Sequence, residues 1–263
     1  MYVVGGYERA ARRTTAAVAR YDIERDRWTR VRSMPAGRNH AQAVAHKGDL
    51  YVFGGYDSGN EATSTLYRYR PERDRWSRLP SAPSARAAHA LGMIGHRLYA
   101  AGGARGGDAL DTLEIYDFER RRWSRGASMS VAREHLAGAV TGRRFYALAG
   151  RASGQGNFAV AERYNPRRDR WRRLPDMHKP RGGNAAAVVD GRIVVFGGEE
   201  AGGTIREVER YDPSARRWRR LPDMRTPRHG LGGVSRGDRV YAIEGGPTPG
   251  LYFSSTIEFL DIR

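Results

Sequence analysis

The sequence predicts an all-β fold, a propeller of six blades, on three periodic observations. Tryptophan recurs as Trp28, Trp76, Trp123, Trp171 and Trp218, at spacings of 48, 47, 48 and 47 residues. Glycine pairs keep the same beat at Gly5-Gly6, Gly54-Gly55, Gly102-Gly103, Gly197-Gly198 and Gly245-Gly246, with Ala149-Gly150 in the remaining place. Arginine does likewise at Arg38, Arg86, Arg133, Arg181 and Arg228. A sustained period of roughly 47 residues, with several short strand patterns per unit, lies in the range of propeller repeats.

Each unit reads as four strands. Strand one is small and apolar, over 41–45, 88–91, 137–140, 185–189 and 231–234, which suits the crowded position nearest the axis. Strand two covers 50–53, 98–101, 145–149, 193–196 and 240–243 and ends at the glycine pair. There the chain needs positive φ or a close backbone approach. Strand three carries Tyr21-Asp22, Tyr116-Asp117, Tyr164-Asn165 and Tyr211-Asp212, and strand four carries the tryptophan. A lone four-stranded sheet leaves an apolar face open, whereas blades packed around a ring cover one another. A tryptophan between blades buries about 150–250 Å², so the Gly, Tyr and Trp repeats read as fold rather than chemistry.

One domain is expected over 1–263, with blades near 1–33, 38–81, 86–128, 133–174, 181–221 and 228–263. The first has no strand one and the last no tryptophan strand. A short N-terminal extension would supply both, so the expectation is a native start upstream of Met1 and a ring closed by both chain ends.

The motifs also resemble a known family. Arg-x-x-His or Arg-His, then Leu-Tyr-x-x-Gly-Gly, then Tyr-Asp-Pro and Trp-x-x-Leu-Pro-x-Met, is similar to the kelch repeat and spans essentially the whole chain. The resemblance implies a β-propeller. Kelch adaptors that bind acidic peptides use arginines just before strand one, and the context Arg228-His229-Gly230-Leu231 looks like theirs. The residue after the glycine pair is a pocket position in that family. Here it is Tyr7, Tyr56, Ala104, Arg151, Glu199 and Pro247, of which the tyrosines match its aromatic type.

Composition narrows the function. No apolar run approaches the roughly 18 residues of a membrane span, and Met1-Tyr2-Val3-Val4 is not a signal peptide. A cytoplasmic monomer is expected, or a secreted protein if an upstream segment exists. Zero cysteines exclude thiolate metal sites and the cysteine–tyrosine cross-link of kelch-like galactose oxidase. The net charge is +17, with Lys47 and Lys179 the only lysines among 46 basic residues. The arginines are spread around the ring rather than gathered in one groove, so nucleic acid is not an expected partner. A non-specific polyanion binder is the third alternative.

Alternating strand directions bring the loops after the glycine pairs to the same face as the repeat arginines. Loops on a fixed scaffold are where binding usually resides. The expected ligand-binding residues are therefore Arg38, Arg86, Arg133, Arg181, Arg228, Tyr7 and Tyr56. Their guanidinium groups would form a funnel for an acidic peptide or anionic glycan. The expected function is non-catalytic binding without a cofactor. The enzyme alternative is a sugar mutarotase resembling sialic acid mutarotase, with Glu244 beside Arg228 as general acid or base. His40 and His135 lie two residues after a repeat arginine, His89 three and His229 one. Strand alternation is expected to scatter them, so no metal site is expected.

Overall fold

The computed structural model describes residues 1–8, 13–250 and 252–262. Among them the chain is all-β apart from a short 3-10 turn at Pro71–Arg73. Six antiparallel sheets follow one another, each pairing its strands in chain order. The first is Tyr2–Val4, Val18–Asp22 and Arg27–Val31. Four four-stranded sheets follow, from Gln42–His46 through Leu79, Ala90–Ile94 through Gly126, Ala137–Thr141 through Arg173, and Ala185–Val189 through Leu221. The sixth is Gly232–Arg236, Arg239–Ile243 and Ile257–Asp261. This is the expected six-bladed propeller; among the described residues the first and last sheets have three strands each and the other four have four.

The five inner strands pack in series, and small residues set how closely. A Cβ on Gly138 would lie 2.6 Å from the Leu91 carbonyl oxygen of the preceding blade. In each of the first five blades the strand-three tyrosine faces the strand-four tryptophan in register, as with Tyr164 and Trp171. Four of those tryptophans also reach the preceding blade. Trp76, Trp123, Trp171 and Trp218 donate Nε1–H to the carbonyls of Arg32, Pro80, Ala127 and Pro175 at 2.7–2.8 Å. Each such bond satisfies a donor that burial would otherwise leave unpaired. Trp28 departs from the expectation that every repeat tryptophan is buried between blades. It is 40% exposed and has no such acceptor among the described residues. The first and last blades meet instead through Tyr7 stacked on Phe253 at 5.7 Å and an Arg236–Glu24 ion pair at 2.7 Å.

The glycine pairs join blade to blade. The second residue of each of the first five pairs donates its N–H to the carbonyl of the next blade's repeat arginine, at 2.7–3.0 Å. A Cβ at the first position of the pair would strike that carbonyl, as at Gly54, 2.4 Å from Arg86 O with φ +66°. In four of the six loops that follow, the chain forms a two-stranded ribbon, such as Arg151–Ala152 with Gly156–Asn157. Residues 9–12 of the first loop and 251 of the last lie outside the described residues.

Candidate functional site

The loop-bearing face is built on a hub of five residues, each two positions after a repeat arginine. His40, Ala88, His135, Gly183 and Gly230 all have positive φ, between +51° and +67°. Their backbones form a chain around the axis. Ala88 N–H donates to His40 O, His135 to Ala88, Gly183 to His135 and Gly230 to Gly183, at 2.7–2.9 Å. The left-handed turn ends the approach to strand one, which is why that strand begins at Ala90 in the third blade rather than at 88 as expected.

The same turn sends the repeat arginines inward. Arg86, Arg133, Arg181 and Arg228 are 0% exposed and Arg38 is 6%. Arg181 donates to the carbonyls of Gly197 and Glu207 at 2.9 and 2.8 Å, and Arg228 to those of Glu244 and Thr256. Four of the five also pair with a strand-three glutamate. The N···O distances are 2.9 Å for Arg86–Glu114, 2.6 Å for Arg133–Glu162, 2.8 Å for Arg181–Glu209 and 2.9 Å for Arg228–Glu258. Three of these carboxylates further accept backbone N–H groups, from Ser130, from His178 and Lys179, and from Thr226. Arg38 pairs with no acid among the described residues; it donates to Gly37 O and Thr65 Oγ1 and lies over the Tyr67 ring. Burial pulls the Arg86, Arg133 and Arg181 guanidinium groups below their ordinary range, against the pull of their glutamates. The funnel expectation is therefore corrected: these side chains are buried inside the blades, with most of their guanidinium donors turned to carbonyls and glutamates there.

What the mouth presents is a different set. Its residues are those one and two after the repeat arginine and the one after the glycine pair, which form bridges such as Asn39 with Tyr56 and Glu134 with Arg151. Arg151 donates to Glu134 at 2.8 Å within its blade and to Glu199 of the next at 2.6 Å. Glu199 also lies 3.3 Å from His229 Nδ1 of the sixth blade, and Glu134 contacts His135 Nδ1. Burial pushes the Glu134 carboxyl up, but His135 and Arg151 outweigh it and hold it below the usual range. Burial likewise lowers Arg151, and the two carboxylates more than reverse it.

His40 and His135 come together across the third blade, with ring centroids 4.9 Å apart, because Ala88 between them is small. His40 Nδ1 lies 2.6 Å from Asn39 Oδ1, and Asn39 Nδ2 donates to Thr14 Oγ1 at 2.6 Å. That relay makes His40 Nδ1 the donor. His40 is exposed, yet crowding by protein, with the His135 ring next, lowers its pKa. Tyr56 stands edge-on to it at 5.6 Å. The expected scatter of histidines thus holds for His89, which turns into the core at 0% exposure, and not for His40 and His135.

Of the other expected site residues, Tyr7 packs on Phe253 where the first and last blades meet. Glu244 lines a groove with Ala19, Trp28, Thr29, Arg30 and Ser255 at that same seam, and the hydrogen bond it receives from Arg228 is to its backbone oxygen. Crowding by protein raises the Glu244 carboxyl above its usual range even though the residue meets solvent. Among the described residues, His96, Asp117 and Glu119 bring ligand atoms within 4.8 Å of one another, but Asp117 already accepts from Arg97 and Arg120. No helix among them is long and apolar enough to cross a membrane.

The sequence reading missed the buried glutamates and the charged mouth network. The glutamates had a signal: an acid recurs 28, 29 and 30 residues after Arg181, Arg133 and Arg228. Comparison with known families gives two matches. A model described as the KLHDC2/KLHL20/DRC7 Kelch-repeats domain matches residues 1–179, and one for the Kelch motif matches residues 180–225. No curated protein matches the chain.

Proposed function

Because the chain belongs to the kelch-repeat family, whose domains generally mediate protein–protein contacts, we propose that it is a non-catalytic interaction propeller whose partner docks at the loop-bearing mouth. One observation carries the reading. Tyr56, His40, His135, Arg151, Glu199 and His229 gather there from four blades, on a hub held by backbone hydrogen bonds and buried arginine–glutamate pairs. Polar side chains on a rigid frame are what a specific protein contact requires. The opposite face offers mainly tight turns.

The partner is a protein segment recognised by shape and hydrogen bonds. The anionic preference loses its support, because the repeat arginines are committed inside the blades and Arg151 is already neutralised by Glu134 and Glu199. The mutarotase alternative has less behind it, since Arg228 is buried with Glu258 and is not among the residues that line the groove beside Glu244.

The test is affinity capture from the source lysate with quantitative mass spectrometry. It compares the wild type, a His40→Ala/Tyr56→Ala/Arg151→Ala variant and an Arg73→Ala/Arg121→Ala variant of the opposite face. The expected result is proteins retained by the wild type and the second variant and lost by the first. Proteins retained by the mouth variant and lost by the opposite-face variant would overturn the reading.

A further inference from the structure

The outer strands carry a charge pattern that the mouth does not use. Their sequences are RWTRV, RWSRL, RWSRG, RWRR and RWRRL. The first three hold two arginines each and the last two hold three, making twelve, and every one is exposed. None of the five strands contains an aspartate, a glutamate or a lysine, although the chain has 29 acidic residues. The leading arginines, Arg27, Arg75, Arg122, Arg170 and Arg217, make no ion pair among the described residues. Register places Asp22, Asp117 and Asp212 opposite three of them. Those carboxylates are already paired, with Arg25, with Arg97 and Arg120, and with Arg192.

Each outer strand is a sheet edge, and a charged edge discourages pairing with another chain. That function is served by either sign and by lysine as well. It does not account for the single sign. The result is a band of exposed guanidinium groups around the side of the propeller. Of the twelve, Arg173 pairs with Asp176 and Arg220 approaches Glu207 and Asp223, while the five leading arginines stay unpaired among the described residues. Arginines three residues apart on one strand have backbones roughly 10 Å apart and project to its two faces.

We propose that this rim binds an anionic polysaccharide, independently of the partner at the mouth. The planar guanidinium fork suits sulfate and carboxylate groups, and a flexible chain can follow a curved band. Single-stranded nucleic acid gains much of its affinity from aromatic platforms. Of the rim's five tryptophans, Trp76, Trp171 and Trp218 are turned inward, at 9%, 9% and 7% exposure, and Trp123 is half-buried, leaving Trp28 as the one exposed ring. Duplex recognition uses a helix or ribbon that enters a groove, and the outer strands project none.

The test uses heparin as the probe, with the full chain. Binding is measured by titration at several salt concentrations around 150 mM for the wild type, for the six-site variant Arg170, Arg172, Arg173, Arg217, Arg219 and Arg220→Ser, and for His40→Ala. A melt confirms folding, which these exposed positions should leave unchanged. The wild type should bind with a steep loss on raising salt. The six-site variant should bind at least about ten-fold more weakly with a shallower slope, as fewer counterions are released. His40→Ala should bind like the wild type. The proposal fails if the wild type does not bind at all, if the folded six-site variant binds as tightly as the wild type, or if a single-stranded oligonucleotide of equal charge displaces heparin.

Discussion

Replacing His89 tests the packing argument most directly. The residue is fully buried, edge-on to Phe53 at 5.1 Å, and neither ring nitrogen has a hydrogen-bond partner. Burial, with the Arg86 charge second, holds its imidazole well below the ordinary 6.5. The fourth and sixth blades place Leu136 and Leu231 at the same repeat position, so leucine is the replacement the fold already accepts. Two effects follow for His89→Leu. Removing an unsatisfied buried polar group should stabilise by roughly 1–3 kcal/mol at any pH. The second effect is proton linkage. With the folded-state pKa depressed, neither state is protonated well above pH 6.5. Below it the unfolded chain takes up a proton that the native state refuses, so stability falls by about 1.4 kcal/mol per pH unit. Between about pH 8 and pH 5 the wild type should lose roughly 2 kcal/mol through this residue alone. Urea unfolding of both proteins at both pH values reads the difference. His40 contributes a slope of the same sign in both and so cancels in the comparison. Equal pH dependence in the two proteins, or a His89→Leu variant less stable than wild type at pH 8, would refute the reasoning.

The other predictions concern the repeat itself. Arg133→Ala leaves Glu162 buried without its counter-charge, so it should cost about 3–5 kcal/mol, while exposed Arg217→Ala should change stability by less than about 0.5 kcal/mol; denaturant unfolding that finds the two alike would remove the structural role of the arginine ring. Trp171→Ala should cost about 3–5 kcal/mol. Trp28→Ala should cost much less, because Trp28 is 40% exposed and lacks the inter-blade bond, and thermal melts that drop equally would contradict the seam geometry. Gly54→Ala meets the Arg86 carbonyl, whereas Gly48→Ala at φ +82° meets open space; both are strained, but the first should lose about 1–3 kcal/mol more.

The fold was legible because its signals are positional. A tryptophan, a glycine pair and an arginine on one beat each mark a place that every blade must fill the same way. Side-chain direction was less legible. The turn that sends the repeat arginines inward sits at a left-handed residue, and three of its five instances are His40, Ala88 and His135, with φ of +51° to +52°. Only Gly183 and Gly230 advertise that conformation by residue type. Without the turn, arginines before strand one would point at the channel; with it, four of the five point at the glutamates of strand three. The acids themselves were visible on the same beat, and a buried arginine demands such a partner, so the pairing was available to a reading that looked for the arginine's counter-charge before its ligand.

The mouth network was hidden for a different reason. Arg151 meets Glu199 at a sequence separation of 48 and Glu134 at 17, so its members become neighbours only once adjacent blades are superposed position by position. Glu244 shows the same logic in reverse. A carboxylate in a glycine's place looked like chemistry. At Gly5, Gly54, Gly102 and Gly197 a Cβ would lie 2.2–2.7 Å from the arginine carbonyl of the following blade, and Ala149 is the largest residue found where such a blade follows. Glu244 lines the seam groove with Trp28 and Arg30 of the first blade, and Gly245 after it, unlike the second residue of the other five pairs, donates to no arginine carbonyl among the described residues. The close approach that keeps the other positions to glycine or alanine is not made there, so a glutamate at this place is explained by room and does not by itself argue for chemistry.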